Sequence, residues 1–246
     1  LLFEFDVKDD IPPIVKGIKI YSLNGANING KNTDIIYSAV KTTEGYNLER
    51  KAPIMIHGKI GLAINTIDKL NEAPNKCGIY SIELYDGDSL IFQQKLERLN
   101  FYTNRYINTH MDYLQYRFRK ESYHKSFLSK NNKLDIYGKI KDKGILIFEQ
   151  NEVKKMKYIV SDVYGNKSEL NFELQGEPSL KMQNTQKPNP IQFNASKKNE
   201  IVRSNFKAYL PQGALYDDAT IQFQEYPTRH NTISAVFDFN TDSVPI

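Results

Sequence analysis

Apolar and polar side chains alternate over most of the chain, and this predicts a mainly β protein arranged as two β-sandwich-like domains in tandem, the first with a helical insertion. Three observations carry the expectation. The first is period two: Phe3, Phe5 and Val7 alternate with Glu4, Asp6 and Lys8, Ile54, Ile56, Ile60, Leu62 and Ile64 share one parity, and Tyr80, Ile82 and Leu84 alternate with Ser81 and Glu83. The second is turn chemistry between such runs. "YDGDS" (85–89) places Asp-Gly between "IYSIEL" and "LIFQQ", and "YIVSDVYGNKSELNFEL" (158–174) places Gly165-Asn166 between two alternating runs. The third is a change of composition at 175–193, where three prolines and polar residues interrupt the strands.

In chain order, residues 1–9 read as a strand leaving an upstream domain, because the chain starts at Leu1 already in a strand pattern. The first sandwich is expected over 10–176. An ordinary sandwich of this kind needs about 100 residues, so the surplus falls in an insertion at about 97–148. Within it Ile107, Met111, Leu114 and Phe118 recur at helical spacing, and "THMD" resembles a capping box, so a helix is expected over 109–121. A shorter helical turn is expected in 138–144. Residues 177–190 read as a linker. A second sandwich, cut short, is expected over 191–246, where Phe206, Ala208 and Leu210, then Ile221 and Phe223, then Ile233, Ala235, Phe237 and Phe239 alternate.

Composition narrows the function. The 246 residues are 40% hydrophobic, enough for one large core or two modest ones. A net charge of +4, from 33 basic and 29 acidic residues spread along the chain, makes no case for nucleic acid. The single cysteine excludes an internal disulfide, and no apolar run approaches the ~20 residues of a membrane-spanning helix.

No catalytic constellation is expected. Gly25, Gly30 and Lys31 match the spacing of a phosphate-binding loop, but Asn32 stands where a Mg²⁺-binding hydroxyl is needed, so 25–32 reads as a surface turn. His57, His110, His124 and His230 lie at no spacing typical of zinc, and Cys77 has no activating partner nearby in sequence. Asp162, Asn166, Ser168 and Glu169 offer oxygen ligands of the kind calcium accepts. With too few carboxylates for a dedicated loop, they are expected to turn the chain instead, and neither a metal nor a cofactor is expected in this chain.

The best candidate for function is "NFYTNRYINTHMDYLQYRFRKESYHKSF", where tyrosines alternate with basic residues. Tyr102, Arg105, Tyr106, Tyr113, Tyr116, Arg117, Arg119 and Tyr123 are the expected partner-binding residues, since Tyr and Arg bury area at little entropic cost and still hydrogen-bond. The competing reading makes the apolar stripe of the helix core and the tyrosines its edges. Asp88-Ser89-Leu90 and Asp242-Ser243-Val244 resemble the Asp-Ser-aliphatic acceptor of a bacterial envelope O-glycosylation system, marking Ser89 and Ser243.

"DDIPPIVKGIKIYSL", "IHGKIGLAINTID", "NKCGIYSIELYDGDSL" and "KYIVSDVYGNKSELNFEL" together resemble a bacterial immunoglobulin-like sandwich. With "RYINTHMDY", "KSFLSKNNKLDIYGKIKDKGILIF" and "LPQGALYDDATIQF", they resemble the region that follows the catalytic domain in envelope-targeted lysostaphin/LytM-type zinc metallopeptidases. The resemblance implies tandem immunoglobulin-like sandwiches, a periplasmic or outer-membrane location, and a non-catalytic scaffold that positions a metallopeptidase-like protein at peptidoglycan or among envelope proteins. Zinc would belong to the upstream domain. The family's motifs His-x-x-x-Asp and His-x-His are absent from these residues, so no catalytic residue is carried over. Two alternatives stand beside it: an interaction subunit of an outer-membrane assembly or transport complex whose peptidase-like domain is degenerate, and a glycan-binding module. The absence of Trp counts against the latter.

Overall fold

The computed structural model describes residues 8–50, 52–177, 191–203, 205–226 and 235–241. The strand expected over 1–9 and the linker over 177–190 fall almost entirely outside these residues, as do His230, Ile233 and Ser243. The protein is mainly β.

β1 (Ile14–Ile28), β2 (Ile35–Thr42), β3 (Gly45–Leu48) and β4 (Ile54–Ile67) form the first unit of the main sheet. β1 and β4 pair antiparallel along nearly their full length, with Ile18 opposite Ile64, Ile20 opposite Leu62 and Ile28 opposite Ile56, all completely buried. The ladder breaks between Leu23 and Asn27, where Asn24 and Gly25 take positive φ. Immediately beyond β1, Asn29 and Gly30 also take positive φ, and Ile28 and Lys31 exchange backbone hydrogen bonds of 2.7 and 3.1 Å. The stretch with phosphate-loop spacing is therefore a bulge followed by a tight turn between strands.

β5 (Ser81–Asp86) and β6 (Ser89–Lys95) meet at the Gly87-Asp88 turn. α1 (Ile107–His110), α2 (Tyr113–Arg119), β7 (Tyr123–Lys125), β8 (Tyr137–Ile140) and β9 (Leu146–Ile147) follow, and then β10 (Val153–Ser161) and β11 (Lys167–Gly176), joined by the expected turn at Gly165. Asp162 accepts from the amide of Asn166 at 2.8 Å and from its side-chain nitrogen at 2.7 Å, so the polar knot does turn the chain.

All these strands are connected by one path of hydrogen bonds, β7-β4-β1-β2-β3-β11-β10-β5-β6-β8, with β9 on β4. β11 pairs in parallel with both β3 and β4, Leu170 beside Tyr46 and Leu174 beside Ile54, which closes β1, β2, β3, β11 and β4 into a barrel-like ring. This region is thus a single hydrogen-bonded sheet that folds back on itself. Closure gives β3 and the end of β11 partners that an open edge would lack. Ile18, Ile20, Ile54, Ile60, Leu62, Leu170 and Leu174 lie in the core it surrounds, with Phe92 and Tyr158 from the continuing strands.

The 97–148 insertion is less helical than expected, because β7 and β9 extend one side of the sheet and β8 the other. The turn expected in 138–144 is a single 3-10 turn, Asp142–Gly144, preceded by strand. Gly144 has φ +75° and faces the carbonyl of Ser126, where an added Cβ would lie 2.1 Å from the oxygen. Replacing Gly144 with Ala is expected to lower stability by about 1–3 kcal/mol, read from the urea midpoint. An unchanged midpoint would refute this packing.

β12 (Ile191–Phe193), β15 (Ala219–Tyr226) and β16 (Val236–Thr241) form a second sheet, and β13 (Asn199–Arg203) and β14 (Phe206–Leu210) a hairpin. Phe193, Ile201, Leu210, Leu215 and Ile221 make a separate core, with Phe206 packed against Phe239 and, at ring distances of 5.0 and 5.1 Å, against Phe223 and Phe237. This region meets the first through Asn131, whose side-chain nitrogen donates to the carbonyls of Ala195 (3.1 Å) and Leu215 (2.6 Å), and through a Lys130–Asp218 ion pair. No helix among the described residues is long and apolar enough to cross a membrane.

Candidate interaction site

The Tyr/Arg segment begins at Asn100, whose carbonyl accepts from the amides of Thr103 and Asn104 and starts a 3-10 turn that runs into α1. The single helix expected over 109–121 is two short ones. Met111 is extended (φ −81°, ψ 148°), and Asp112, not Thr109, caps α2 by accepting from the amide of Gln115 at 3.1 Å. Thr109 lies within α1 and donates to the carbonyl of Tyr106. The break follows from what else holds Asp112. Its Oδ2 receives Lys19 Nζ and the Tyr21 hydroxyl, each at 2.6 Å, and its amide donates to the carbonyl of Tyr123. These bonds fix Asp112 to the sheet, where an unbroken helix could not place it.

α2 buries none of its residues. At this helix the apolar stripe is only partly covered: Leu114 is half-buried but Phe118 is 73% exposed, and Tyr116 beside the stripe is 55% exposed. Arg117 lies over the Tyr113 ring, donating to its hydroxyl at 2.9 Å, and also over Phe118, while Lys120 lies over Tyr116. Arg119 is exposed, and so are Arg105, Tyr102 and its neighbour Phe101.

Two expected contact residues are instead structural. Tyr106 is buried against Leu134 and Ile136 and meets Tyr216 of the second region edge-on at 5.6 Å, while its hydroxyl accepts from Arg105. Tyr123 is buried in β7, opposite Asn65 of β4. Phe101, Phe118 and Lys120 join the exposed set in their place. Among the glycosylation candidates, Ser89 is exposed at the first position of β6, directly after the turn.

Where α1 ends, the structure pairs two histidines, His110 and His124, that sequence spacing keeps apart. His110 Nε2 and His124 Nδ1 are 3.2 Å apart, and the Tyr137 hydroxyl is 3.3 Å from His110 Nδ1. Burial holds His124 down to about 4, and burial together with the charges of His124 and Lys125 holds His110 well below its ordinary value. Burial pushes Tyr137 up to about 12. Both imidazoles are therefore neutral at pH 7 and share one ring N–H between them. The antiparallel bridge of Met111 with His124 makes the pair, and it is a tertiary contact without a local signature.

Elsewhere, a cleft of about 700 Å³ opens between β2, β3, the start of β4, the β5–β6 turn and the middle of β10 and β11. Arg50, Lys155 and Lys157 and the carboxylates of Glu49, Asp88 and Glu173 line it, over a floor that includes Met156 and Phe172. Its charges are mixed and it lies outside the Tyr/Arg segment.

No curated protein and no solved structure matches the chain. A family model described as a Zu5-like domain matches residues 191–246, the second β region.

Proposed function

We propose that this chain is a non-catalytic interaction region of a secreted cell-envelope metallopeptidase-like protein, and that it holds that protein at peptidoglycan or the outer membrane through the exposed part of residues 101–120. The observation that carries this reading is α2: a seven-residue helix, half-buried at Tyr113, Leu114 and Gln115, whose second half and C-cap hold Tyr116, Arg117, Phe118, Arg119 and Lys120 in solvent on a root fixed by buried Asp112. Burial within the chain does not account for a phenylalanine 73% exposed beside two arginines, whereas a contact surface does. The envelope location and the metallopeptidase kinship rest on the sequence resemblance. So does the immunoglobulin-like kinship of the two β regions, for which the Gly87 and Gly165 hairpins are the structural support. Zinc, in this reading, belongs to a domain upstream. An interaction subunit of an outer-membrane assembly or transport complex would use the same surface.

The test is a triple substitution, Tyr116→Ala, Arg117→Ala and Phe118→Ala, at exposed positions where the melting temperature should hold. Sedimentation with purified peptidoglycan and flotation with outer-membrane vesicles should both be measured. On the arm where the native chain binds, the variant is expected to lose at least about tenfold in affinity, some 1.4 kcal/mol. Binding to vesicles alone would favour the outer-membrane subunit. A native chain that binds neither, or a variant that binds like the native chain, would reject the proposal.

A further inference from the structure

We infer that Asp9, Asp68 and Asp162 form a calcium site at the end of the main sheet where β1 begins and β4 and β10 finish. The inference goes beyond the interaction surface and does not depend on it. The three residues come from distant parts of the sequence, and the structure brings one carboxylate oxygen of each within 4.8 Å of the others. Asp68 and Asp162 are only 3% and 2% exposed, and Asp9 is half-buried.

Hydrogen bonds account for only part of this chemistry. Asp162 is occupied by Asn166, and Asp9 Oδ1 accepts from the amide of Ile11. Asp68 Oδ1, in a side chain buried beyond nine-tenths, has no hydrogen-bond partner, and neither has Asp9 Oδ2. Among the ion pairs of the described residues none involves these three aspartates. Leaving a buried carboxylate oxygen unpaired beside two like charges is costly unless a cation or a proton joins them.

The ligand chemistry selects the cation. Three carboxylates and no nitrogen or sulfur suit a hard ion and not zinc. The three oxygens lie within 4.8 Å of one another, close enough to share one ion. Mg²⁺ retains several waters, which a cluster with two nearly inaccessible carboxylates disfavours.

The backbone holds the ligands before any ion arrives. Asp68 and Cys77 exchange backbone hydrogen bonds of 3.2 and 2.8 Å just past β4. Asn166 links the β10–β11 turn to the carbonyl of Asp9, and Ser168 donates to the carbonyl of Pro13. A calcium ion here would clamp the segment that leads into β1 onto the ends of β4 and β10, and so stiffen the point where the chain joins the sheet.

The experiment is thermal unfolding of the 246-residue chain after EDTA treatment, with CaCl₂ or MgCl₂ added, alongside equilibrium dialysis for stoichiometry. Calcium at 100 times its dissociation constant should raise the melting temperature by about 5–10 °C. Magnesium at the same concentration should do much less, and dialysis should give one tightly bound calcium. Asp68→Asn should abolish the shift and yet raise the melting temperature of the calcium-free protein, because it removes one of three crowded charges. Asp9→Asn, at the half-buried margin, provides the same loss of binding should Asp68→Asn fail to fold. No calcium response, an equal response to magnesium, or an undiminished response in both variants would overturn the assignment.

Discussion

Replacing Asp112 with Ala is expected to cost about 3–5 kcal/mol, the range for breaking a buried ion pair from one side. Asp112 is 4% exposed and joins two elements through one carboxylate: Lys19 and Tyr21 of β1 on Oδ2, and the first turn of α2 on Oδ1. Truncation strands a Lys19 that is itself buried, leaving it only Asp34 at 3.2 Å, an acid with a well-exposed side chain. It also leaves the Tyr21 hydroxyl unpaired and removes the helix cap, alone worth about 0.5–2 kcal/mol. Asp112→Asn separates these effects, since the amide can still cap α2 but cannot neutralise Lys19. It should cost less than Asp112→Ala and more than a cap alone. Burial by itself would raise the Asp112 carboxyl, but the hydrogen bonds from Lys19 and Tyr21, the Lys19 charge and the Gln115 amide outweigh it and hold the group below the ordinary carboxylate range. A carboxyl depressed by folding contributes stability that is complete above its unfolded value, near 4, and is lost as pH falls through the lower folded one. The gap between native protein and Asp112→Ala in urea should therefore be largest near neutral pH and narrow below about pH 4. A gap under about 1 kcal/mol at pH 7 would show that Lys19 and Tyr21 find other partners.

The same residue shows where sequence reading reaches its limit. Turns are local, and the hairpins at Gly87 and Gly165 were legible because Asp-Gly and Gly-Asn between alternating runs specify a reversal whatever surrounds them. The parity of Ile54, Ile56, Ile60, Leu62 and Ile64 was legible for a similar reason, and all five are buried. The helix break was not, because Asp112 stops α1 from continuing through bonds to β1, far away in sequence. Ring closure was not legible either, since it depends on parallel pairing of β11 with β3 and β4, and period-two patterns do not specify which strands become neighbours. The candidate site was half legible. Composition located the Tyr/Arg segment, but Tyr106 and Tyr123 differ from Tyr102 and Tyr116 only in what packs over them: Leu134, Ile136 and Tyr216 over the first, the β4 pairing over the second. Asp9, Asp68 and Asp162 were invisible as a group because no local spacing links them.

Acid should destabilise this protein well before its ordinary carboxylates titrate, and the histidine pair supplies the reason. His124 titrates at about 4 in the folded protein against 6.5 when unfolded. Folding thus lowers a basic group, so the unfolded chain takes up a proton first, and stability that is complete above pH 6.5 is lost as pH falls towards 4. For His124 alone this is about 2 kcal/mol by pH 5 and about 3 by pH 4, an upper figure because the residue keeps some surface exposure. His110, buried and lowered further, adds loss of the same sign. Asp68 works the other way: its carboxyl is raised on folding, so the folded protein gains protons there and stability increases as pH falls. Unfolding free energy should be measured by urea from pH 7 to pH 5 in EDTA, for the native chain and for His124→Gln, which preserves a hydrogen-bond partner for His110. The native slope should approach two protons taken up on unfolding, and the variant should lose about one of them. Equal slopes would mean that the imidazoles are hydrated in the folded state, and the pairing of His110 with His124 would then be wrong.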